Sequence, residues 1–397
     1  MGQKCSRRKK FHRPRIKFFF AALSFTLLNL WFPLPARASS NGDIRLNQPL
    51  KSCWTFPAAG TPTANIASDN ALIYVPSLDG EKLTTISTDS GLVEWEIELG
   101  GQLRITPYLN GDLLLIILKS ESGYVVRRLE KKTGVTVWQT LLAANQTTAN
   151  QSAPAAKFYP YAFGDQILVV DGKGVWRTYG TANGEPHTVG NLSAALTAAP
   201  YFEGEQAVFA TADKSVTLFS LETVSEMTSF KVSTIPLTVS KIGRRLFWTD
   251  AGGNLNSFEY RGAARLKKWK LRVGGQISDL ASAKENLIFS SLDNYLYSAA
   301  AANGEIIWKS RLAGRSAFTP LTAGDYVAAS SIGEDSATVF ETQTGKTVNR
   351  INLGAKNFST GAPRISGHFV VFPTAQGLFA FTSDKFCADR IPTVFEK

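Results

Sequence analysis

Histidine is nearly absent. The 397-residue chain has 3, and only His187 and His368 lie beyond its N-terminal segment. With so few imidazoles, a Ser-His-Asp triad or a multi-histidine metal centre has almost nothing to be built from. His368, in SGHFVV, reads as a turn residue and His187, in GEPHTVG, as a strand residue. Cysteine is as sparse, with 3 residues and no cluster. No phosphate-cradling loop and no glycine fingerprint follows a strand. No catalytic, cofactor-binding or metal-ligating residue is therefore assigned, and the chain is expected to be no enzyme and to need no cofactor.

Acid is missing from residues 1–38, where Lys4, Arg7, Arg8, Lys9, Lys10, Arg13, Arg15, Lys17 and Arg37 stand without one Asp or Glu. An apolar run at residues 18–32 and Ala36-Arg37-Ala38 follow this basic start. The three parts together are those of a secretory signal peptide, with cleavage expected after Ala38. The run is shorter than the roughly 20 residues that span a bilayer; an uncleaved anchor is the alternative. Without these nine basic residues, the 43 bases of the chain fall to 34 against 32 acids. The high isoelectric point belongs to the leader, and no nucleic-acid partner is expected. The densest basic stretch that remains is RGAARLKKWKLR, residues 261–272, read as a solvated edge or else as a surface for an anionic partner.

What is present is a repeat. Turn positions before short apolar strands fall at Asp69, Gly111, Gly164, Gly204, Gly243, Lys284, Gly324 and Gly367, spaced 42, 53, 40, 39, 41, 40 and 43 apart. Pro107, Pro160, Pro200, Pro320 and Pro363 each stand four residues before such a turn. A third marker is a turn glycine with an aromatic four residues on, as in SGLVEW, TGVTVW and NGEIIW. It places Trp95, Trp138, Trp269 and Trp308 at one repeat position, with Phe230, Thr188 and Asn349 as departures. Period and strand lengths predict an all-β chain, an eight-bladed β-propeller of four-stranded antiparallel blades. The fourth unit is the weakest match; if it were misread, seven blades would remain.

The eighth unit has three strands and no tryptophan strand, whereas KSCWTF at residues 51–56 has Trp54 and no strands before it. Trp54 lies 15 residues before Asp69, against 16 from Trp95 to Gly111. The N-terminal strand is thus expected to complete the last blade and close the ring, with Trp54, Trp95, Trp138, Trp269 and Trp308 as blade-packing residues. Closure would also bring Cys53 to Cys387, and a disulfide is expected there if the protein is exported. A bond closing so long a loop is worth about 4 kcal/mol on the chain-entropy model; two free thiols are the alternative. Residues 39–397 then form a single propeller domain, with 39–49 a polar lead-in and 143–156 a flexible surface insertion. Asp79, Asp89, Asp112, Asp165, Asp250, Asp293 and Asp325 fall at turns and are expected to cap backbone groups. Trp176 and Trp248 are off the pattern and are candidates for a surface role.

The apolar strand, turn, second strand and (T/S/N)-G-x-x-x-W resemble the repeat of the pyrroloquinoline-quinone-dehydrogenase-like (PQQ-like) β-propellers from about Lys51 to Cys387. In size and single-domain layout the chain is similar to the branch found in the outer-membrane β-barrel assembly machinery. That resemblance implies eight four-stranded blades and a scaffold role in binding other proteins; the protein is expected in the cell envelope, periplasmic or secreted, and as a monomer. The assembly propeller carries a lipidated Cys after its leader, whereas Ser39 and Ser40 follow Ala38 here. The quinone-dependent branch implies adjacent cysteines, a calcium site of carboxylates and a considerably longer chain; this sequence has no Cys-Cys pair and no large insertion. A degenerate quinoprotein dehydrogenase and an extracellular glycan-binding module are the alternative functions.

Overall fold

The second strand of each unit is apolar on both faces, as in LLLIILKS (Leu113–Ser120) and FVVFPT (Phe369–Thr374), so it must be covered on both. A four-stranded sheet cannot supply that cover alone. The computed structural model describes residues 44–57, 65–144, 156–316, 318–383 and Cys387. It stands eight antiparallel sheets face to face around a ring. Blades 1 to 7 span residues 67–98, 102–144, 158–191, 201–231, 238–272, 277–311 and 321–352. Blade 8 combines residues 364–382 with Lys51–Pro57, which pairs antiparallel with Gly377–Thr382. The expected eight blades and N-terminal closure are what the chain forms. The leader and most of the insertion lie outside the described residues. Ala143 and Ala144 end the outer strand of blade 2, and Ala156 packs on the core beside it, so the loop is shorter than expected.

There is no single core. Eight apolar clusters fill the eight gaps between neighbouring blades; one joins Trp54 and Val371 of blade 8 to Ile73 and Ile86 of blade 1. The turn glycines of the repeat explain its period. Gly111, Gly164, Gly204, Gly243, Gly324 and Gly367 all have φ between 52° and 57°, and Lys284 takes the same conformation at 55°. Left-handed backbone costs an L-residue about 1–2 kcal/mol, part of which glycine returns through its freer unfolded chain. Lys284 is held by an exposed ion pair to Asp325 at 2.8 Å, a type of contact worth little. Lys284→Gly is therefore expected to raise stability by about 0.5 kcal/mol, read as a higher denaturant midpoint at unchanged slope. A lower midpoint would show that the ion pair outweighs the backbone strain.

The blade-packing tryptophans work between blades, each lying on the turn glycine of the next one. An added Cβ at Gly91 would stand 2.6 Å from the Trp54 ring, at Gly134 2.9 Å from Trp95, and at Gly304 and Gly345 2.5 Å from Trp269 and Trp308; Gly184 meets Trp138 in the same way. Each indole Nε1 donates to a carbonyl of that same turn: Trp54 to Thr88 at 2.9 Å, Trp95 to Lys131 at 3.0 Å, Trp138 to Thr181 at 3.0 Å, Trp269 to Ala301 at 3.2 Å and Trp308 to Thr342 at 2.8 Å. Two of the three departures face a blade without that glycine, and the third, Phe230, faces a blade whose turn glycine, Gly262, has nothing within 4 Å of an added Cβ. Thr188 of blade 3 precedes a turn with Val224 at the glycine position, in the left-handed region at φ 49°. Trp176 takes over there, lying on Gly190 and edge-on to Phe219 of blade 4 at 5.6 Å. Phe230 meets Phe258 of blade 5 at 4.8 Å. Asn349 of blade 7 donates to the carbonyls of Leu46 and Gln48, at 2.9 and 2.6 Å. The lead-in is accordingly not a loose polar segment. Leu46 is fully buried between blades 7 and 8.

Blade 8 is also the one whose third and fourth strands are not joined by a hairpin. There Cys53 and Cys387 are bonded, with Cα atoms 5.4 Å apart across 334 residues of chain.

Candidate protein-binding face

In each blade the first strand runs innermost and the fourth outermost. Antiparallel order puts the loops that enter each blade, and the loops between its second and third strands, at one end of the ring. These two loop sets brace each other. Ile332 N donates to Arg315 O at 2.7 Å, Leu292 N to Gln276 O at 2.9 Å, Leu103 N to Gly80 O at 2.8 Å and Ala375 N to Phe358 O at 3.0 Å. Turn carboxylates stiffen them further. Asp79 accepts from Glu81 N at 2.9 Å and Asp293 from Gly274 N at 3.1 Å. Asp250 is buried and accepts from Gly252 N at 2.9 Å and the Asn254 amide at 2.7 Å. Burial pushes the Asp250 carboxyl up, but its hydrogen bonds with Asn254, Thr234 and Gly252 outweigh burial and leave it below the ordinary range.

Large apolar side chains point outward from these braced loops. Leu292 of blade 6, Ile332 of blade 7, Phe358 on the way into blade 8 and Leu78 of blade 1 follow one another around the face, and Leu78 and Ile332 are 72% and 52% exposed. Exposed apolar residues also occur on the outer strands, among them Val93, Val137, Val189 and Ile307. Those recur from blade to blade and mark no particular place.

At the centre of the same end the starts of the inner strands enclose a depression of about 630 Å3, lined from blades 1, 2, 3, 4 and 8. Tyr108, Tyr161 and Phe202 form a fixed aromatic row across three blades: Tyr161 stacks on Phe202 at 4.5 Å and meets Tyr108 edge-on at 6.5 Å. Tyr108 Oη accepts from Ala162 N at 2.9 Å, and Tyr161 Oη donates to Gly204 O at 3.2 Å. Burial raises the pKa of Tyr159 and is the largest cause of the rise at Tyr161. Arg104, Lys157 and Arg364 bring three cations to the lining and no carboxylate joins them. Arg364 is open to water yet set deep in protein, and burial lowers its pKa from the usual arginine range. Arg104 donates through Nη2 to Gln102 at 2.6 Å, while its Nε is buried with no hydrogen-bond partner among the described residues.

The residues singled out from sequence lie elsewhere. The five latch tryptophans and Cys53 are on outer strands. Trp248 is not at the surface but 7% exposed between blades 4 and 5, and Trp176 is half-buried against blade 4, because each fills a gap where no outer-strand tryptophan reaches. His187 is exposed on the outer strand of blade 3, and the carbonyl of His368 accepts from Thr382 Oγ1 at 2.6 Å. Among the described residues no three His, Cys, Asp or Glu side chains gather in metal-binding geometry, and the disulfide sits on the outside of the ring. The basic stretch at 264–272 is the exposed outer strand of blade 5, where Lys267 pairs with Glu259 at 3.2 Å and Arg265 donates to Lys231 O at 2.6 Å.

Comparison with known proteins places this architecture. Among solved structures, BamB from Moraxella catarrhalis superposes with a TM-score of 0.62 at 15% identity, covering 85% of this chain and 98% of that one. The computationally designed Ika8 protein superposes at 0.65 with 11% identity, over 83% of this chain and 98% of that one. At such identities the likeness speaks for the fold alone. No curated protein matches the sequence. The family model of the outer membrane protein assembly factor BamB matches residues 40–174 and 238–382, which together make up more than half of the chain. This chain belongs to the BamB family.

Proposed function

We propose that this protein is an exported, non-enzymatic scaffold that holds protein partners of the outer-membrane β-barrel assembly against the loop face of its ring. The observation that carries this reading is the succession Leu292, Ile332, Phe358 and Leu78: exposed apolar side chains on loops stiffened by backbone hydrogen bonds. A rigid surface loses little entropy on binding, and large apolar residues supply the anchors of an interface. The family match supports the same partner class. Export is supported by the leader sequence and by the bonded cysteine pair, which persists in oxidising compartments.

The test is site-specific photo-crosslinking in envelope-bearing cells, with the reactive side chain placed at Ile332, at Leu78 or, as a control, at Val189 on an outer strand. Subunits of the β-barrel assembly machinery should be captured from the two loop positions and not from the control. Ile332→Glu should lower capture from position 78 by about tenfold, which corresponds to about 1.4 kcal/mol. Equal capture from Val189, or none of these subunits from any position, would overturn the proposal.

A further inference from the structure

We infer that the central depression is a separate binding site, one that takes an acidic peptide segment with its carboxylates on Arg104, Lys157 and Arg364 and its apolar side chains on the aromatic row of Tyr108 and Phe202. The charge of the lining is one-sided. Acids of the inner strands are engaged elsewhere, Glu203 with Lys241 at 2.7 Å and Asp279 as acceptor from Thr319 Oγ1. Neither the Lys157 ammonium nor the Arg364 guanidinium has an ion-pair or hydrogen-bond partner among the described residues. Both side chains are exposed and so open to an incoming carboxylate, which they would hold through charge-assisted hydrogen bonds. Arg364 presents the planar fork that suits a carboxylate, and Arg104, whose Nη2 is taken up by Gln102, adds positive charge.

Geometry also selects the class of ligand. The depression has the volume of a site for a short peptide segment or a drug-sized molecule. Pro107, Pro160 and Pro200 stand beside the aromatics, and the lining carries no Asn, Gln, Asp or Glu side chain; its uncharged polar side chains are Ser68, Thr106 and the tyrosines. Sugar hydroxyls are commonly held by side-chain amides and carboxylates that accept and donate together, and this lining has neither, whereas its three cations match carboxylates directly. Carboxylates alternating with apolar side chains match both halves of the lining. The site shares no residue with the outward-pointing apolar side chains of the loop face, and it stands or falls independently of them.

The probe is a short fluorescent peptide alternating glutamate with leucine, titrated into the purified mature protein and followed by anisotropy, with the glutamine-for-glutamate peptide as control. Saturable binding of the acidic peptide, at least tenfold tighter than the control and weakening steeply with salt, is expected. Arg364→Gln and Lys157→Gln should each weaken it about fivefold without moving the melting midpoint, since neither side chain has a partner to lose. The double variant should weaken it by more than twentyfold, while Ile332→Glu should leave it unchanged. Conversely, Arg364→Gln should leave photo-crosslinking from Leu78 intact, which separates this site from the face proposed above. Equal binding of the neutral peptide, or tighter binding of polygalacturonate than of the peptide, would each overturn the assignment.

Discussion

Cys53→Ser should lower the stability of the ring by about 4 kcal/mol, and Cys387→Ser should do the same. In seven blades a covalent hairpin joins the third strand to the fourth, so the outer strand cannot leave without unfolding its own blade. Blade 8 has no such hairpin, and Lys51–Pro57 is held by its ladder to Gly377–Thr382, the Trp54 indole on Thr88 and the disulfide. The unfolded chain cross-linked over 334 residues loses much of its freedom, which is where the stabilisation arises on the chain-entropy model. The loss should therefore appear in three equivalent forms: in either single variant, in the double variant, and in the wild type under a thiol reductant. Amide exchange should rise first in residues 51–57 and in Thr88 to Gly91, which Trp54 covers. A melting midpoint that reduction does not move would show that strand pairing alone closes the ring.

How much of this was legible in the sequence differs from one feature to the next, and the reasons are physical. The period could be read because most of these turns need left-handed backbone, which writes a glycine into six of the eight units; Lys284 keeps the conformation without one, and only the turn at Asp69 does without it. Ring closure could be read because Trp54 is a tryptophan without strands before it. The latch could not be read in full. G-x-x-x-W looks like a motif within one unit, whereas the glycine of one blade actually serves the tryptophan of the preceding one. Pairing Thr188 with Val224, and Asn349 with the missing hairpin of blade 8, would have shown that the departures are correlated. Leu46 was missed because one apolar residue in a polar stretch has no period to reveal it. The central depression left no local trace either, since Arg104, Lys157 and Arg364 come from three units and meet only when the ring closes.

Trp308→Ala should cost about 3–5 kcal/mol, since the ring is 8% exposed between blades 6 and 7 and its removal also leaves the Thr342 carbonyl without its donor. The partner experiment is Gly345→Ala. Its new methyl would stand 2.5 Å from the Trp308 ring, on backbone at φ 68°. Both effects oppose it, and together they should cost about 2–4 kcal/mol. Gly324→Ala separates them, because that glycine has similar backbone at φ 57° with nothing within 4 Å of the added carbon, and should cost only about 1 kcal/mol. In the double variant, alanine at 345 meets no indole and keeps only the backbone term. The two losses should then fall short of additivity by about 1–3 kcal/mol. Strict additivity, or a Gly345→Ala cost no larger than that of Gly324→Ala, would mean that ring and glycine are neighbours without being a pair. Coupling would locate the cohesion of the ring in contacts made one blade to the next, and predicts that a damaged latch loosens its two blades before the other six.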